Sequence, residues 1–253
     1  MRRGALIAVA LLVVLGAAGV ARAEVEREGD VIVAFDGGIA PRALPRAGVA
    51  PVAVSVEGRF KTVGNGELAQ LRTISIGINR DGKIFDSGLP TCKVRKIQPT
   101  TIQAAHEICG DAIVGSGSVA VRVRLTGQKP FLFKGPMLVF HAQRSGGQRR
   151  LLAQVYGDRP PSAFVLTFKI RQQEGTFGTV IQTKLPKSAY KWAYVTRFEM
   201  KLHRVYEYRG EQRSFISAGC AAPEGFPGAV YAFARAKFGF DEGRKVTTTL
   251  IRD

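Results

Sequence analysis

Apolar and polar side chains alternate along most of the chain. Ile74, Ile76 and Ile78 are separated by small or polar residues, and the same period of two recurs over residues 119–125 and 164–170. This period is typical of half-buried strands, and a sheet with one face in water is commonly antiparallel. We therefore predict a mainly β fold, either an antiparallel two-layer sandwich or a strongly curved sheet.

Glycine-containing turns separate several of these alternating runs, as β-hairpins require. They lie at residues 79–83, 144–148, 208–212 and 240–244. Two of the surrounding segments, 71–92 and 195–220, each consist of an alternating run, a turn and a second run that ends on Cys. These segments are either two independent hairpin units or the trace of a weak internal duplication.

A single segment departs from the period of two. In PTTIQAAHEICGD, apolar residues recur at helical spacing, Thr100 and Gln103 match a capping box, and Gly110 suits a C-terminal cap. We predict one short helix near residues 101–109.

The first 23 residues have the three parts of a secretory signal peptide. Two arginines precede an apolar run over residues 5–20, and the segment ends on the small-x-small sequence ARA at 21–23. We expect cleavage before Glu24 and a mature protein that is secreted, extracellular or located in the cell envelope. The alternative is an uncleaved anchor helix, because about 18 apolar residues nearly span a bilayer.

Residues 24–51 are rich in Pro and Gly, with three prolines in the sequence DGGIAPRALPRAGVAP. Prolines at this density favour extended polyproline-like structure over packed elements. We predict an N-terminal tether over 24–51 and a single β-rich domain over 52–253, a length sufficient for one sizeable core.

The chain is strongly basic, with 37 Lys and Arg against 20 Asp and Glu. The predicted cleavage removes three arginines and leaves a mature net charge of +14. An excess of this size favours long-range attraction to anionic polymers or surfaces. We predict that the basic residues of the alternating runs face outward and contact anionic cell-wall polymer or a membrane surface. They are Arg122, Arg124, Lys169, Arg171, Arg197 and Lys201.

Three cysteines occur in the chain: Cys92, Cys109 and Cys220. Cys109 lies three residues after His106 on the predicted helix, so the imidazole could activate the thiol as a nucleophile. In an exported protein, two nearby thiols more commonly form a disulfide, and closing this loop would stabilise the fold by about 3 kcal/mol. We predict a Cys92–Cys109 disulfide and an unpaired Cys220, with a catalytic thiol and a metal site as alternatives.

Residues 187–210 interleave aromatic and basic side chains, as platforms for single-stranded nucleic acid or polysaccharide do. The parity of the segment favours another interpretation. Trp192 and Tyr194 share the parity of the apolar residues that follow them, whereas Arg197 and Lys201 take the other. We predict an ordinary long strand whose rings face a core and whose charges face water.

Familiar catalytic signatures do not occur in the sequence: the G-x-S-x-G elbow, the Walker loop, the dinucleotide fingerprint and H-E-x-x-H are all missing. The carboxylates are few and scattered, and we interpret Asp81, Asp86, Asp241 and Glu242 as turn residues. We therefore expect no catalytic residue, no metal site and no cofactor.

Three segments, APRALPRAGVAPVAV, CAAPEGFPGAVYAFARAKFGF and GRKVTTTLIRD, resemble a family of exported β-rich proteins of high-GC Gram-positive bacteria. The resemblance covers essentially the whole mature chain. It implies a shared fold and export, and no particular activity. Members of the family commonly carry a further Cys directly after the position of Asp253, so the resemblance implies that Cys220 pairs with a residue beyond that position.

Together these patterns predict an exported, non-enzymatic binding or structural protein of the cell envelope or extracellular space. Its basic faces would contact anionic envelope polymer, and no specific nucleic-acid partner is expected. One alternative is a carrier of lipid or another apolar ligand, in which the curved sheet and the helix enclose a cavity. The other is a hydrolase or thiol enzyme that uses Cys109 and His106.

Overall fold

The structure of the protein is a computed structural model. It describes residues 23–64, 69–158, 160–187, 192–220 and 231–252. The predicted signal peptide lies outside the described residues apart from Ala23. None of the helices in the described ranges has the length and the apolar run that crossing a membrane requires.

Strands make up most of the described chain. In order they are β1 Glu24–Glu28, β2 Val31–Ala40, β3 Ala50–Pro51, β4 Ala53–Thr62, β5 Leu71–Ile78, β6 Gly82–Ile84, β7 Ile113–Val123, β8 Phe131–Ser145, β9 Gln148–Asp158, β10 Pro161–Gln172, β11 Thr179–Lys184, β12 Ala193–Leu202, β13 Val205–Tyr208, β14 Glu211–Ser214, β15 Ile216–Ala218, β16 Tyr231–Phe240 and β17 Lys245–Arg252. Two helices, α1 Val94–Ile97 and α2 Ile102–Cys109, lie between β6 and β7. Short 3-10 turns cover Gly110–Ala112 and Asp241–Gly243.

Twelve of the strands form one antiparallel sheet, in the spatial order β1-β2-β4-β12-β7-β8-β9-β10-β11-β5-β16-β17. The sheet curves until its edge strands β1 and β17 are in contact, so it is nearly closed. Two smaller sheets, β13-β14 and β3-β15-β6, complete the fold in the described ranges. The predicted mainly β, antiparallel fold is confirmed, and α2 is the short helix predicted near residues 101–109; the single turn of α1 was not predicted. Of the two architectures that the alternation allowed, the strongly curved sheet is the one observed.

The apolar side of each alternating run faces the interior of the curved sheet. Aromatic rings fill part of it: the ring centroids of Phe60 and Phe238 are 5.1 Å apart, and those of Phe35 and Phe238 are 5.8 Å apart. These rings are at most 3% exposed. Edge-to-face pairs of this kind add to the stabilisation that apolar burial provides. The interior around these three rings is therefore a packed core.

The first two strands correct the predicted tether. β1 pairs with β2, and β2 pairs along its whole length with β4. Val31, Val33 and Phe35 of β2 are at most 1% exposed and belong to the core. The tether prediction was wrong for these strands because the apolar alternation in VIVAF specifies a buried strand, and the prolines lie only after it. β1 and β2 therefore belong to the large sheet of the β-rich domain.

Helix α2 packs on the outer face of β8 and β9, over a second and smaller core. The disulfide between Cys92 and Cys109 is formed, with 5.8 Å between the two Cα atoms, and the predicted pairing is confirmed. Thr101 caps the helix by accepting a hydrogen bond from the amide of Ala104 at 3.2 Å. The cap therefore lies one residue later than Thr100, which the capping-box pattern predicted.

Three of the four predicted hairpin turns are observed, and they join β8 to β9, β13 to β14 and β16 to β17. In the first, Gly146 and Gly147 have φ angles of 56° and 74°, left-handed conformations that favour glycine. The hairpin prediction at 79–83 was wrong, because β6 pairs with β15 in a small sheet. The internal duplication stays a prediction.

Candidate functional site

A broad cleft of about 990 Å³ opens at the end of the curved sheet that carries the β8–β9 turn. Three parts of the chain bound it: β6 with the residue after it, the β8–β9 turn, and the adjoining ends of β10 and β11. Its described lining contains four cationic residues and no acidic one. We call this site the basic cleft, after Lys83, Arg144, Arg149 and Arg171.

A buried carboxylate holds two of these arginines. The side chain of Asp86 is 5% exposed, and its two oxygens accept hydrogen bonds from Arg144 Nη2 at 2.9 and 3.1 Å. Arg149 Nε lies 3.3 Å from Oδ2 of the same carboxylate. A carboxylate removed from water is costly unless its charge is paired. The two guanidinium groups supply that pairing, and the fixed carboxylate in turn orders two flexible side chains at the cleft.

The imidazole of His141 is buried beside this carboxylate. Nδ1 lies 3.0 Å from the carbonyl oxygen of Pro90, which can only accept, so Nδ1 carries a proton and donates it. Nε2 lies 3.6 Å from Asp86 Oδ2 and has no hydrogen-bond partner among the described residues. Buried polar atoms without a partner are uncommon in folded proteins. Nε2 of His141 is therefore a buried polar atom without a hydrogen-bond partner among the described residues, close to the arginines of the site.

Tyr206 supports the segment that carries Asp86. Its hydroxyl donates a hydrogen bond to the carbonyl oxygen of Phe85 at 3.4 Å. Burial raises the pKa of the Tyr206 phenol; the charge of Arg213 lowers it in part, and the charge of Asp86 raises it further. The phenol therefore stays protonated at neutral pH and acts as a hydrogen-bond donor.

The site keeps a positive charge after its internal pairing. The one carboxylate of Asp86 offsets one of the four cations and leaves three uncompensated. Arg149 Nη1 donates to the carbonyl of Ile84 at 3.3 Å, whereas Arg144 is 52% exposed and retains N–H donors that no described residue accepts. Arginine forks bind carboxylate and phosphate groups through two parallel hydrogen bonds. The arrangement suits an anionic ligand.

Metal ligands are not grouped in the described part of the chain. No set of three or more His, Cys, Asp or Glu side chains there could share a metal ion. The cleft itself offers hydrogen-bond donors from lysine and arginine, together with the amides of Gln148 and Gln172.

The six predicted contact residues are all exposed, but they do not lie in one place. Arg171 lines the basic cleft. The others are distributed over the outer face: Arg122 and Arg124 at the end of β7, Lys169 on β10, and Arg197 and Lys201 on β12. Their contact with an anionic polymer stays a prediction.

Arg197 is engaged within the fold. Its Nε and Nη2 atoms donate to the carboxylate of Glu57 at 2.7 and 3.1 Å, and Nη2 also lies 3.2 Å from Glu199. The hydrogen bond from Arg197 lowers the pKa of the Glu57 carboxyl and outweighs the partial burial that raises it. Arg197 therefore has few donors left for an external anion.

The cysteine that the thiol-enzyme alternative requires is not a free thiol. Sγ of Cys109 is bonded to Cys92 in the disulfide, and His106 is exposed on α2. Cys220 is half-buried and free. Its pairing with a residue beyond the end of this chain stays a prediction.

Sequence reasoning missed the centre of the basic cleft. Asp86 does begin a turn, since its carbonyl accepts a hydrogen bond from the amide of Leu89 at 3.3 Å, but its carboxylate pairs with Arg144, which lies 58 residues away. That pairing depends on the curvature of the sheet. One signal was present in the sequence RSGGQRR, which places Arg144 and Arg149 on the two sides of a glycine turn.

The aromatic segment also departs from its predicted parity. β12 carries a β-bulge at Thr196, and one extra residue shifts the alternation by one. Ala193 and Val195 consequently pack against the core, while Trp192 is 39% exposed. The prediction that Trp192 and Tyr194 face the core was wrong. The apolar residues after the bulge are buried, as predicted.

Comparison of the chain with protein-family models, with curated proteins and with solved structures gave no match.

Proposed function

We propose that the protein is an exported, non-enzymatic binding protein of the cell envelope or extracellular space, which holds anionic polymer in the basic cleft. One observation carries the proposal: four cations surround a single opening, and only one buried carboxylate offsets them. A concave site lined by charge of one sign concentrates field lines and raises the local concentration of the opposite charge.

The form of the basic cleft favours a polymer segment over a small enclosed ligand. Its volume of about 990 Å³ lies at the upper end of the range of small-molecule sites, and its cations come from three separate parts of the chain. Cations spread in this way match repeated anionic groups along one ligand. Phosphate and carboxylate are the groups that arginine holds most specifically, because both match the planar guanidinium fork.

The carrier of apolar ligands has less support. Such a carrier needs an empty apolar interior, whereas the rings of Phe35, Phe60 and Phe238 pack against one another inside the curved sheet. We therefore retain anion binding as the proposed function.

The test is a calorimetric titration of the mature chain with short linear polyphosphate. We expect saturable binding at low salt that weakens steeply as salt is added, because screening reduces attraction between exposed charges. Replacement of Arg144 and Arg149 by Gln should weaken binding by about tenfold or more, equivalent to about 1.4 kcal/mol. The matched control is the pair Arg95→Gln and Lys96→Gln on α1, which removes the same charge outside the cleft and should change the affinity by less than about twofold.

A second pair keeps the test decisive if the first variant fails to fold. Lys83→Gln with Arg171→Gln removes two cleft cations that do not contact Asp86, so no buried carboxylate is left unpaired. This variant should also bind polyphosphate more weakly than the control. Equal losses in cleft and control variants would overturn the assignment to the cleft, and no binding at low salt would overturn the function.

A further inference from the structure

The β-bulge of β12 places an aromatic patch on the outer face of the curved sheet. Tyr194 is directly opposite Arg122 on β7, and Arg122 is directly opposite Leu132 on β8. Trp192 directly precedes β12 and is exposed, whereas Ala193 between it and Tyr194 packs against the core. We call these four residues the outer patch.

The outer patch is open to solvent. Leu132 is 51% exposed, Trp192 is 39% exposed, and Tyr194 is half-buried. Single exposed apolar residues are ordinary on protein surfaces. Here, however, Tyr194 and Leu132 lie on the strands either side of Arg122, and Trp192 directly precedes the strand of Tyr194. Such a cluster has the composition of a binding surface, since Trp, Tyr and Arg dominate the energetics of known contact sites.

The surroundings of the outer patch are cationic. Strands β7 and β8 contain no Asp or Glu, while Arg122 on β7 and Lys134 on β8 are both exposed. The amide of Arg124, directly after β7, donates to the carbonyl of Trp192 at 2.8 Å and so places Trp192 beside the end of this strand. A ligand that covers the rings therefore meets positive charge on the adjoining strands.

The outer patch is separate from the basic cleft. Leu132 lies near the start of β8 and Arg144 near its end. At a rise of about 3.3 Å per residue, the intervening strand spans roughly 40 Å. The two surfaces therefore occupy opposite ends of the same strand pair.

We propose that the outer patch binds acidic polysaccharide, with a sugar ring stacked on Trp192 and a neighbouring acidic group paired with Arg122. A sugar ring offers an apolar face to an aromatic side chain, and an acidic sugar adds the charge that the adjoining cations match. A protein partner fits less well, because a stable interface needs about 800 Å² on each side around an apolar centre. Beyond the rings, this face carries Ser116, Ser118 and charged residues.

Trp192 makes the proposal directly measurable, since it is the single tryptophan of the chain. Titration with oligogalacturonate, in which each sugar carries a carboxylate, should produce a saturable change in tryptophan emission. Tyr194→Ala and Arg122→Gln should each weaken this binding by about tenfold, whereas Tyr194→Phe, which keeps the ring, should stay within about twofold of the wild type. Arg95→Gln on α1 is the matched control for removal of one exposed charge and should have no such effect.

Two comparison ligands separate the components of the contact. Neutral dextran has the sugar ring without charge, and linear polyphosphate has the charge without the ring; each should change the emission far less than oligogalacturonate. An equal response to polyphosphate, or unchanged binding in Tyr194→Ala, would overturn the proposal. The Arg144→Gln, Arg149→Gln double variant should keep the full emission change, so failure at the outer patch and failure at the basic cleft are distinguished.

Discussion

At the scale of single residues, Glu57 shows how the basic surface is kept compatible with the fold. This carboxylate lies on the outer face of β4, where Arg197 stands on the adjacent strand β12 directly opposite Arg59. Like charges placed opposite each other on a sheet are destabilising. Glu57 is in ion-pair contact with both arginines. Glu57 therefore offsets the repulsion between Arg59 and Arg197 on the two adjacent strands.

The lowered pKa of Glu57 predicts how this contact responds to acid. In the unfolded chain the carboxyl titrates near its ordinary value of 4.5, and in the folded chain below it. The stabilisation is therefore fully present above the unfolded value and is lost as the pH falls through the folded value. Glu57→Gln should lower the free energy of unfolding at neutral pH by less than about 1 kcal/mol, because the pair is partly exposed.

Urea titrations of the wild type and of Glu57→Gln from neutral pH into the acid range test this prediction. The difference between the two proteins should stay constant down to about pH 5.5 and shrink below it. Glu207→Gln, on the exposed β13–β14 hairpin, is the control and should show no comparable difference. A difference that grows on acidification would contradict the assigned pairing.

At the scale of elements, the disulfide fixes the helical segment to the sheet. Cys92 and Cys109 enclose α1 and α2, and the amide of Cys92 donates to the carbonyl of His141 at 2.9 Å. Gln154 of β9, which is fully buried, donates to the carbonyl of Thr100 at 2.7 Å. The segment is thus attached to the outer face of β8 and β9 by one covalent link and by hydrogen bonds.

Loss of this disulfide should destabilise the protein without removing its sheet. Replacement of Cys92 and Cys109 by Ser should lower the free energy of unfolding by about 3 kcal/mol, because the open chain gains conformational entropy when unfolded. Urea denaturation followed by circular dichroism measures the change. Cys220→Ser is the control and should stay within about 0.5 kcal/mol of the wild type. An equal loss in the control would contradict the structural role of the disulfide.

Elements and their faces were predictable where a local pattern is complete, but the face of β12 before its bulge was not. The alternation in β5 and β10 identifies both strands, and the spacing in α2 identifies the helix. A bulge has no such pattern: Thr196 inserts one residue into β12, and its hydroxyl donates to the carbonyl of Ala120 at 3.1 Å on the neighbouring strand. Because that partner lies 76 residues away in sequence, the outward position of Trp192 follows from strand pairing alone.

At the scale of the whole molecule, the basic cleft forms because the curved sheet nearly closes on itself. The turn between β8 and β9 approaches β6 only because the sheet curves, and the approach brings Arg144 and Arg149 to Asp86. The net charge of the chain predicted attraction to anions, yet it could not locate the site. Of the six outward cations expected from the alternation, Arg171 alone lines the cleft. The other five lie on different parts of the outer face and do not come together at one site.

Two different proposed contact surfaces lie far apart on the molecule. The basic cleft offers cations, whereas the outer patch offers rings beside cations. A polymer that reaches both would bind more tightly than either contact alone, because the second contact forms within an already bound complex. This expectation applies to long acidic polysaccharide and not to short polyphosphate.

The most direct test of the central claim is the pattern of arginine protection in the wild-type protein. Phenylglyoxal modification at low salt, mapped by mass spectrometry with and without short polyphosphate, reports each arginine in the same sample. We expect polyphosphate to protect Arg144, Arg149 and Arg171, while Arg46 and Arg95, which lie outside the cleft, keep their reactivity. Uniform protection of all five, or protection confined to the residues outside the cleft, would contradict this claim.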